Sequence, residues 1–132
     1  LDKSLSLDAQ FDQTYLLLGQ LYSQQGEWAK AEEMYRKAVE LTPNAVESLS
    51  MLGYVLDQQG KVTAAIEQNL RVLELAPQDY VTVRNLSVLY NKTNNYSQAL
   101  TYAQMALSLA PDSDKASLQQ FVEQLQAIVS GK

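Results

Sequence analysis

The sequence predicts an all-α solenoid of antiparallel helix pairs, on three observations. Marker residues recur with one period across the chain, the apolar residues between them fall at helical spacing, and Gly or Pro closes each helical stretch. Gly19 and Gly53 are 34 apart, as are Gly26 and Gly60. Pro43, Pro77 and Pro111, the only prolines, keep the same period, as do Ala31, Ala65 and Ala99, and Leu41, Leu75 and Leu109. A fixed period of this size marks a stack of supersecondary units, each too small to bury its apolar face alone.

Each unit reads as two helices. In the first, Tyr15, Leu18, Leu21 and Tyr22 lie at helical spacing and Gly26 ends the run, where a left-handed residue is wanted. Ala31, Tyr35, Ala38, Val39 and Leu41 define the second helix, closed by Thr42-Pro43-Asn44 because proline cannot extend a helix. The second unit repeats this with Leu49, Leu52, Val55 and Leu56, then Ala65, Ile66, Val72 and Leu73. The third uses Val83, Leu86, Leu89 and Tyr90, then Ala99, Leu100, Ala103, Ala106 and Leu107. Asn94 stands where the other units have Gly, and Asn tolerates positive φ next best. Gly19, Gly53 and Ser87 in first helices are expected to face Ala31, Ala65 and Ala99 in second helices, letting the pairs approach closely.

Composition excludes several chemistries. The 132 residues contain no Cys and no His, so Ser-His and Cys-His nucleophile pairs, zinc sites of the usual N/S type and thiol redox are absent. Ten Lys and Arg against fifteen Asp and Glu give a net charge of −5, against nucleic-acid or anionic-lipid binding. Lack of Cys suits reducing and oxidising compartments equally, leaving cytoplasm and periplasm both open. The first ten residues hold no signal-like apolar run, and no stretch is long and apolar enough to insert in a membrane. The chain begins with Leu rather than Met, and a piece of a longer protein is expected.

The pattern resembles the tetratricopeptide repeat family, whose unit reads W-x2-L-G-x2-Y, then A-x3-F, then P. Residues 12–45 supply Tyr15, Leu18, Gly19, Tyr22, Ala31, Tyr35 and Pro43. Residues 46–79 supply Leu49, Leu52, Gly53, Leu56, Ala65 and Pro77, with Asn69 where an aromatic is usual. Residues 80–113 supply Val83, Leu86, Ser87, Tyr90, Ala99 and Pro111, with Ala103 at the aromatic position. These two departures suggest looser packing of the second helices. Residues 114–132 read as a C-terminal capping helix: Leu118, Phe121, Val122, Leu125 and Ile128 on one face, Gln119, Gln120, Glu123, Gln124 and Gln126 on the other. Residues 1–11 read as the tail of a preceding repeat or an N-terminal extension, since Leu5-Ser6-Leu7-Asp8 matches Leu107-Ser108-Leu109-Ala110 and puts Ala9 at the proline position.

The resemblance implies a right-handed superhelix whose first helices line a concave groove. Its groove positions fall on Gln13, Leu16, Leu17, Gln20, Ser23 and Gln24; on Glu47, Ser50, Met51, Tyr54, Asp57 and Gln58; and on Val81, Arg84, Asn85, Val88, Asn91 and Lys92. Such a face offers amides to a peptide backbone and Leu17, Met51, Tyr54 and Val88 to apolar side chains. The family's clamp for chaperone carboxylates needs Lys, Asn, Asn, Lys and Arg. Its positions here hold Leu16, Gln20, Met51, Val81 and Asn85, so chaperone-tail capture is rejected.

Other features have plainer readings. Glu32 and Glu33 point about 100° apart on a helix, poorly placed to share a substrate proton. Glu32 with Arg36, Glu33 with Lys37 and Glu67 with Arg71 read instead as stabilising i,i+4 pairs. Asn85-Leu-Ser87, Asn91-Lys-Thr93 and Asn95-Tyr-Ser97 match the glycosylation triplet by chance. Trp28 and Tyr96 share a register position and read as inter-repeat packing. Charge is uneven: net −2 in residues 12–45, −3 in 46–79 and +1 in 80–113, which suits a partner with a basic segment and is explained equally by solubility. The expected function is a non-enzymatic scaffold, needing no cofactor or metal, that holds a protein or peptide segment. The alternatives are self-assembly as a homo-oligomer through an exposed repeat edge, or an accessory part of a larger enzyme such as a glycosyltransferase.

Overall fold

A computed structural model describes the backbone of residues 2–131 and the side chains of residues 11–131. Among the described residues there are seven helices and no strand: α1 (Asp2–Gln24), α2 (Trp28–Leu41), α3 (Val46–Gln58), α4 (Val62–Leu75), α5 (Tyr80–Lys92), α6 (Tyr96–Leu109) and α7 (Asp112–Val129). Two compact units divide the chain, one ending at Leu75 and the other beginning at Ala76.

The turns within helix pairs follow from their residues. Gly26, Gly60 and Asn94 take φ of +76°, +80° and +62°, the left-handed conformation expected of them. At each, the N–H of the following residue donates back across the turn: Glu27 to the Tyr22 carbonyl, Lys61 to Leu56 and Asn95 to Tyr90, all at 2.9 Å. This closes the helix end in a Schellman arrangement. So short a reversal makes neighbouring helices antiparallel. Pro43 and Pro77 lie just beyond the ends of α2 and α4, and Pro111 stands immediately before α7.

In the first unit the core comprises Ala31, Tyr35 and Ala38 of α2, Leu49, Leu52, Val55 and Leu56 of α3, and Ala65, Ile66 and Val72 of α4. Thr42 donates to Asp12 Oδ1 at 3.0 Å, tying the end of α2 to α1. In the second unit Ala99 and Ala103 of α6 meet Val122 and Leu125 of α7, with Tyr90, Tyr96, Leu100, Leu107 and Phe121 packed around them. The capping face is buried at Leu118, Val122 and Leu125, while its Gln-rich side is exposed; Ile128 lies past the core and is exposed.

Several expectations need correction. A Cβ on Gly19 would meet the Tyr35 ring at 2.6–2.9 Å, and one on Gly53 would meet Asn69 Nδ2 at 3.0 Å. At Gly19 the close approach therefore accommodates Tyr35 rather than Ala31, whereas Gly53 faces both Asn69 and the Ala65 carbonyl, 3.7 Å from such a Cβ. Asn69 and Ala103 are buried, and Asn69 donates to the Ala65 carbonyl at 2.9 Å, so neither leaves its helix loosely packed. Arg71 does not pair with Glu67; its guanidinium donates to the Pro43 carbonyl at 3.2 Å. Leu21 and Leu41, placed at helical spacing with the apolar residues of their helices, are exposed. α1 runs unbroken through Ala9. Leu1 and Lys132, and the side chains at Leu5 and Leu7, lie outside the described residues.

Candidate functional site

In the first unit, Gln13, Leu17, Gln20 and Gln24 recur along one face of α1, and Glu47, Met51 and Tyr54 along one face of α3. The structure brings them together around two adjoining hollows. The smaller, about 80 Å³, is lined by Gln13, Leu16, Leu17, Gln20, Tyr35, Glu47 and Met51. The larger, about 320 Å³, is lined by Gln20, Ser23, Gln24, Trp28, Tyr35, Met51 and Tyr54. Tyr35 borders both while almost fully buried, so it forms their floor. Trp28 and Tyr54 meet edge to face, with ring centroids 5.9 Å apart and planes at 75°. Trp28 thus bridges successive repeats, as its register implied. Burial pushes the Tyr35 hydroxyl above its ordinary value, and the Glu47 carboxylate adds to the rise. Ser50 and Asp57 are half-buried on α3 and line neither hollow.

In the second unit, Arg84 and Val88 line a cavity of about 210 Å³ with Tyr80 and Ser87 of α5 and Asp114, Ser117, Leu118 and Phe121 of α7. The Tyr80 hydroxyl donates to Asp114 Oδ2 at 2.7 Å. Arg84 sits over the Tyr80 ring, 5.6 Å from its centroid, with Nη1 4.0 Å from the same carboxylate oxygen. Burial and Asp114 together push the Tyr80 hydroxyl upward. Asn85 and Lys92 are exposed and Asn91 half-buried on α5, outside this cavity.

Sequence reasoning missed Tyr35 as a floor and missed the Tyr80–Asp114 pair. A signal for the pair existed, since the two residues are 34 apart and hold one register position in successive units. Among the described residues no three His, Cys, Asp or Glu side chains converge as a metal would require, and no helix is long and apolar enough to cross a membrane.

Helix hairpins with left-handed Gly or Asn turns, joined through proline, define a repeat module of the α-solenoid class. The chain belongs to the tetratricopeptide repeat family: two family profiles, each described as tetratricopeptide repeat, match residues 16–80 and 85–113. Solved structures agree. The crystal structure of MamA protein is similar at TM-score 0.83 and 20% identity over 92% of this chain, which spans 65% of the length of that one. The first TPR of Spaghetti (RPAP3) bound to the HSP90 peptide SRMEEVD is similar at TM-score 0.81 and 13% identity, over 92% of this chain and 94% of that one. The TPR2B domain of yeast Sti1 in its pHsp70 complex is similar at TM-score 0.74 and 17% identity, over 88% and 93% respectively. Comparison with curated protein sequences finds no match.

Proposed function

We propose that this chain is a non-catalytic interaction module that holds a protein or peptide segment against the α1–α3 face, and that Arg84 and Val88 of α5 belong to a separate contact surface of the second unit. The observation that carries this reading is the pair of adjoining hollows, walled by exposed Leu17, Met51 and Tyr54 and by amide side chains. Apolar anchors beside unpaired amides are what an extended peptide needs for side chains and backbone respectively. The Spaghetti and Sti1 domains, whose structures contain HSP90 peptide and pHsp70, support peptide holding by this fold. Their ligands do not carry over, because Leu16, Gln20, Met51, Val81 and Asn85 leave no carboxylate clamp. The reading takes residues 12–45, 46–79 and 80–113 as repeats, 114–132 as the cap, and 1–11 as an extension of the array.

The test is capture of partners from lysate by the chain and by a Tyr54→Ala, Arg84→Ala double variant of unchanged helicity. A partner lost with the variant is the expected result; equal capture by both would refute the groove assignment.

A second reading rests on one comparison within the chain. Leu21 is 52% exposed, whereas its register partners Val55 and Leu89 are 0% and 3% exposed. With Phe11 also exposed, α1 keeps an apolar edge on which another helix pair fits. Light scattering decides it: a monomer at high concentration removes self-assembly.

A further inference from the structure

The α1–α3 face is one-sided in charge. Of the side chains around its two hollows only Glu47 is ionised, and no described cation pairs with it. The cations between Phe11 and Leu75 are held elsewhere. Lys30 pairs with Glu27 at 3.3 Å, Lys37 with Glu33 at 3.9 Å, Arg36 and Lys61 both with Glu32, and Arg71 donates to the Pro43 carbonyl. None of them reaches either hollow.

The larger hollow offers a cation more than a carboxylate. Trp28 and Tyr54 make a near-perpendicular aromatic corner, and ring faces attract a cation through their quadrupole. The carbonyls of Gln20 and Gln24 add acceptors beside it. An acidic segment laid here would meet Glu47 with no cation in either hollow to offset it.

Spacing sharpens the occupant. Glu47 and Tyr54 are seven residues apart on α3, about 10 Å along the helix axis. A peptide in the polyproline II form advances about 3.1 Å per residue with three residues per turn, so side chains three residues apart span about 9 Å and share one face. We infer that the α1–α3 face receives a basic segment in the polyproline II form with two cationic side chains three residues apart, one against Glu47 and one in the Trp28–Tyr54 corner. This inference rests on the interaction-module reading and names the chemistry of its partner.

Trp28 is the only tryptophan, so its emission reports occupancy directly. The full chain is titrated with blocked Ala-Lys-Ala-Ala-Lys-Ala and with the same peptide carrying Glu or Gln at both lysine positions, followed by fluorescence and calorimetry. The lysine peptide is expected to bind saturably and to shift Trp28 emission. Glu47→Gln and Tyr54→Ala should each weaken it about two- to fivefold, and added salt should weaken it further. Both positions are exposed, so neither variant threatens the fold. Equal binding of the Gln or Glu peptide, or no binding of the lysine peptide, overturns the basic-segment inference. If the Gln peptide binds equally and Tyr54→Ala still weakens it, the groove reading stands while the charge preference falls.

Discussion

Glu32 is the sharpest place to test how successive repeats are held together. Its Oε1 accepts from Lys61 Nζ at 2.9 Å and Gln59 Nε2 at 2.8 Å, and its Oε2 from Arg36 Nε at 2.6 Å. Lys61 and Gln59 belong to the turn between α3 and α4, so the carboxylate joins the first repeat to the second. Burial alone would raise its pKa, but the donors from Lys61, Arg36 and Gln59 outweigh it, leaving the group at about 2 against an ordinary 4.5. That difference corresponds to about 3 kcal/mol favouring the charged form in the folded chain. Glu32 itself is 12% exposed, but Lys61 and Arg36 are 52% and 49% exposed, and solvent screening brings the expected contribution to about 1–2 kcal/mol. Because the folded value is depressed, this stability is present above pH 4.5 and is lost as pH falls toward 2. Glu32→Gln should cost about 1–2 kcal/mol in urea unfolding at pH 7 and almost nothing near pH 2. A penalty equal at both pH values would refute the reasoning, since it would show that packing, not charge, is what Glu32 supplies.

Three further outcomes follow from geometry. Gly19→Ala places a Cβ within 2.6–2.9 Å of the buried Tyr35 ring and should destabilise by about 1–3 kcal/mol, measured by urea unfolding. Gly53→Ala meets Asn69 Nδ2 at 3.0 Å and otherwise only ordinary contacts at 3.5 and 3.7 Å, and the helix-propensity gain of about 1 kcal/mol should leave it near neutral; equal penalties for both would contradict the assignment. Tyr80→Phe removes the hydrogen bond to Asp114 and should speed amide exchange at the start of α7, with a loss of about 1 kcal/mol. Unchanged exchange there would mean the bond does not hold the cap.

What the sequence revealed and what it hid divide along a physical line. Turn positions were legible because Gly26, Gly60 and Asn94 are chosen by backbone sterics, which act within a few residues. Helix faces were legible because their period is set by the chain itself. Which side chain fills the space opposite a glycine depends on the depth and tilt of the facing helix, so Tyr35 was misplaced in favour of Ala31. Arg71 shows the same limit. Its i,i+4 neighbour Glu67 offers a few tenths of a kcal/mol, too little to hold it against the Pro43 carbonyl in the turn after α2. Glu32 was read as the partner of Arg36, which it is, yet its contacts with Gln59 and Lys61 span 27 and 29 residues and no local pattern announces them.

The candidate site was legible as a set of positions, but its location had a cause that only packing exposes. Column by column, Gly19 faces Tyr35 and Gly53 faces Asn69, while Ser87 and Ala103 hold the same columns in the third repeat. The combined volume is largest in the first repeat, where the residue without a Cβ goes with a ring, and smaller where Gly53 goes with Asn69 or Ser87 with Ala103. A hollow with an aromatic floor therefore arises where the floor residue is Tyr35 and Gly19 lets it lie beneath α1. The loss of the consensus aromatic at Asn69 and Ala103 is then not a weakening of the array. It leaves the Tyr35-floored hollows to the first helix pairs, where Trp28, Tyr54 and Glu47 stand beside them.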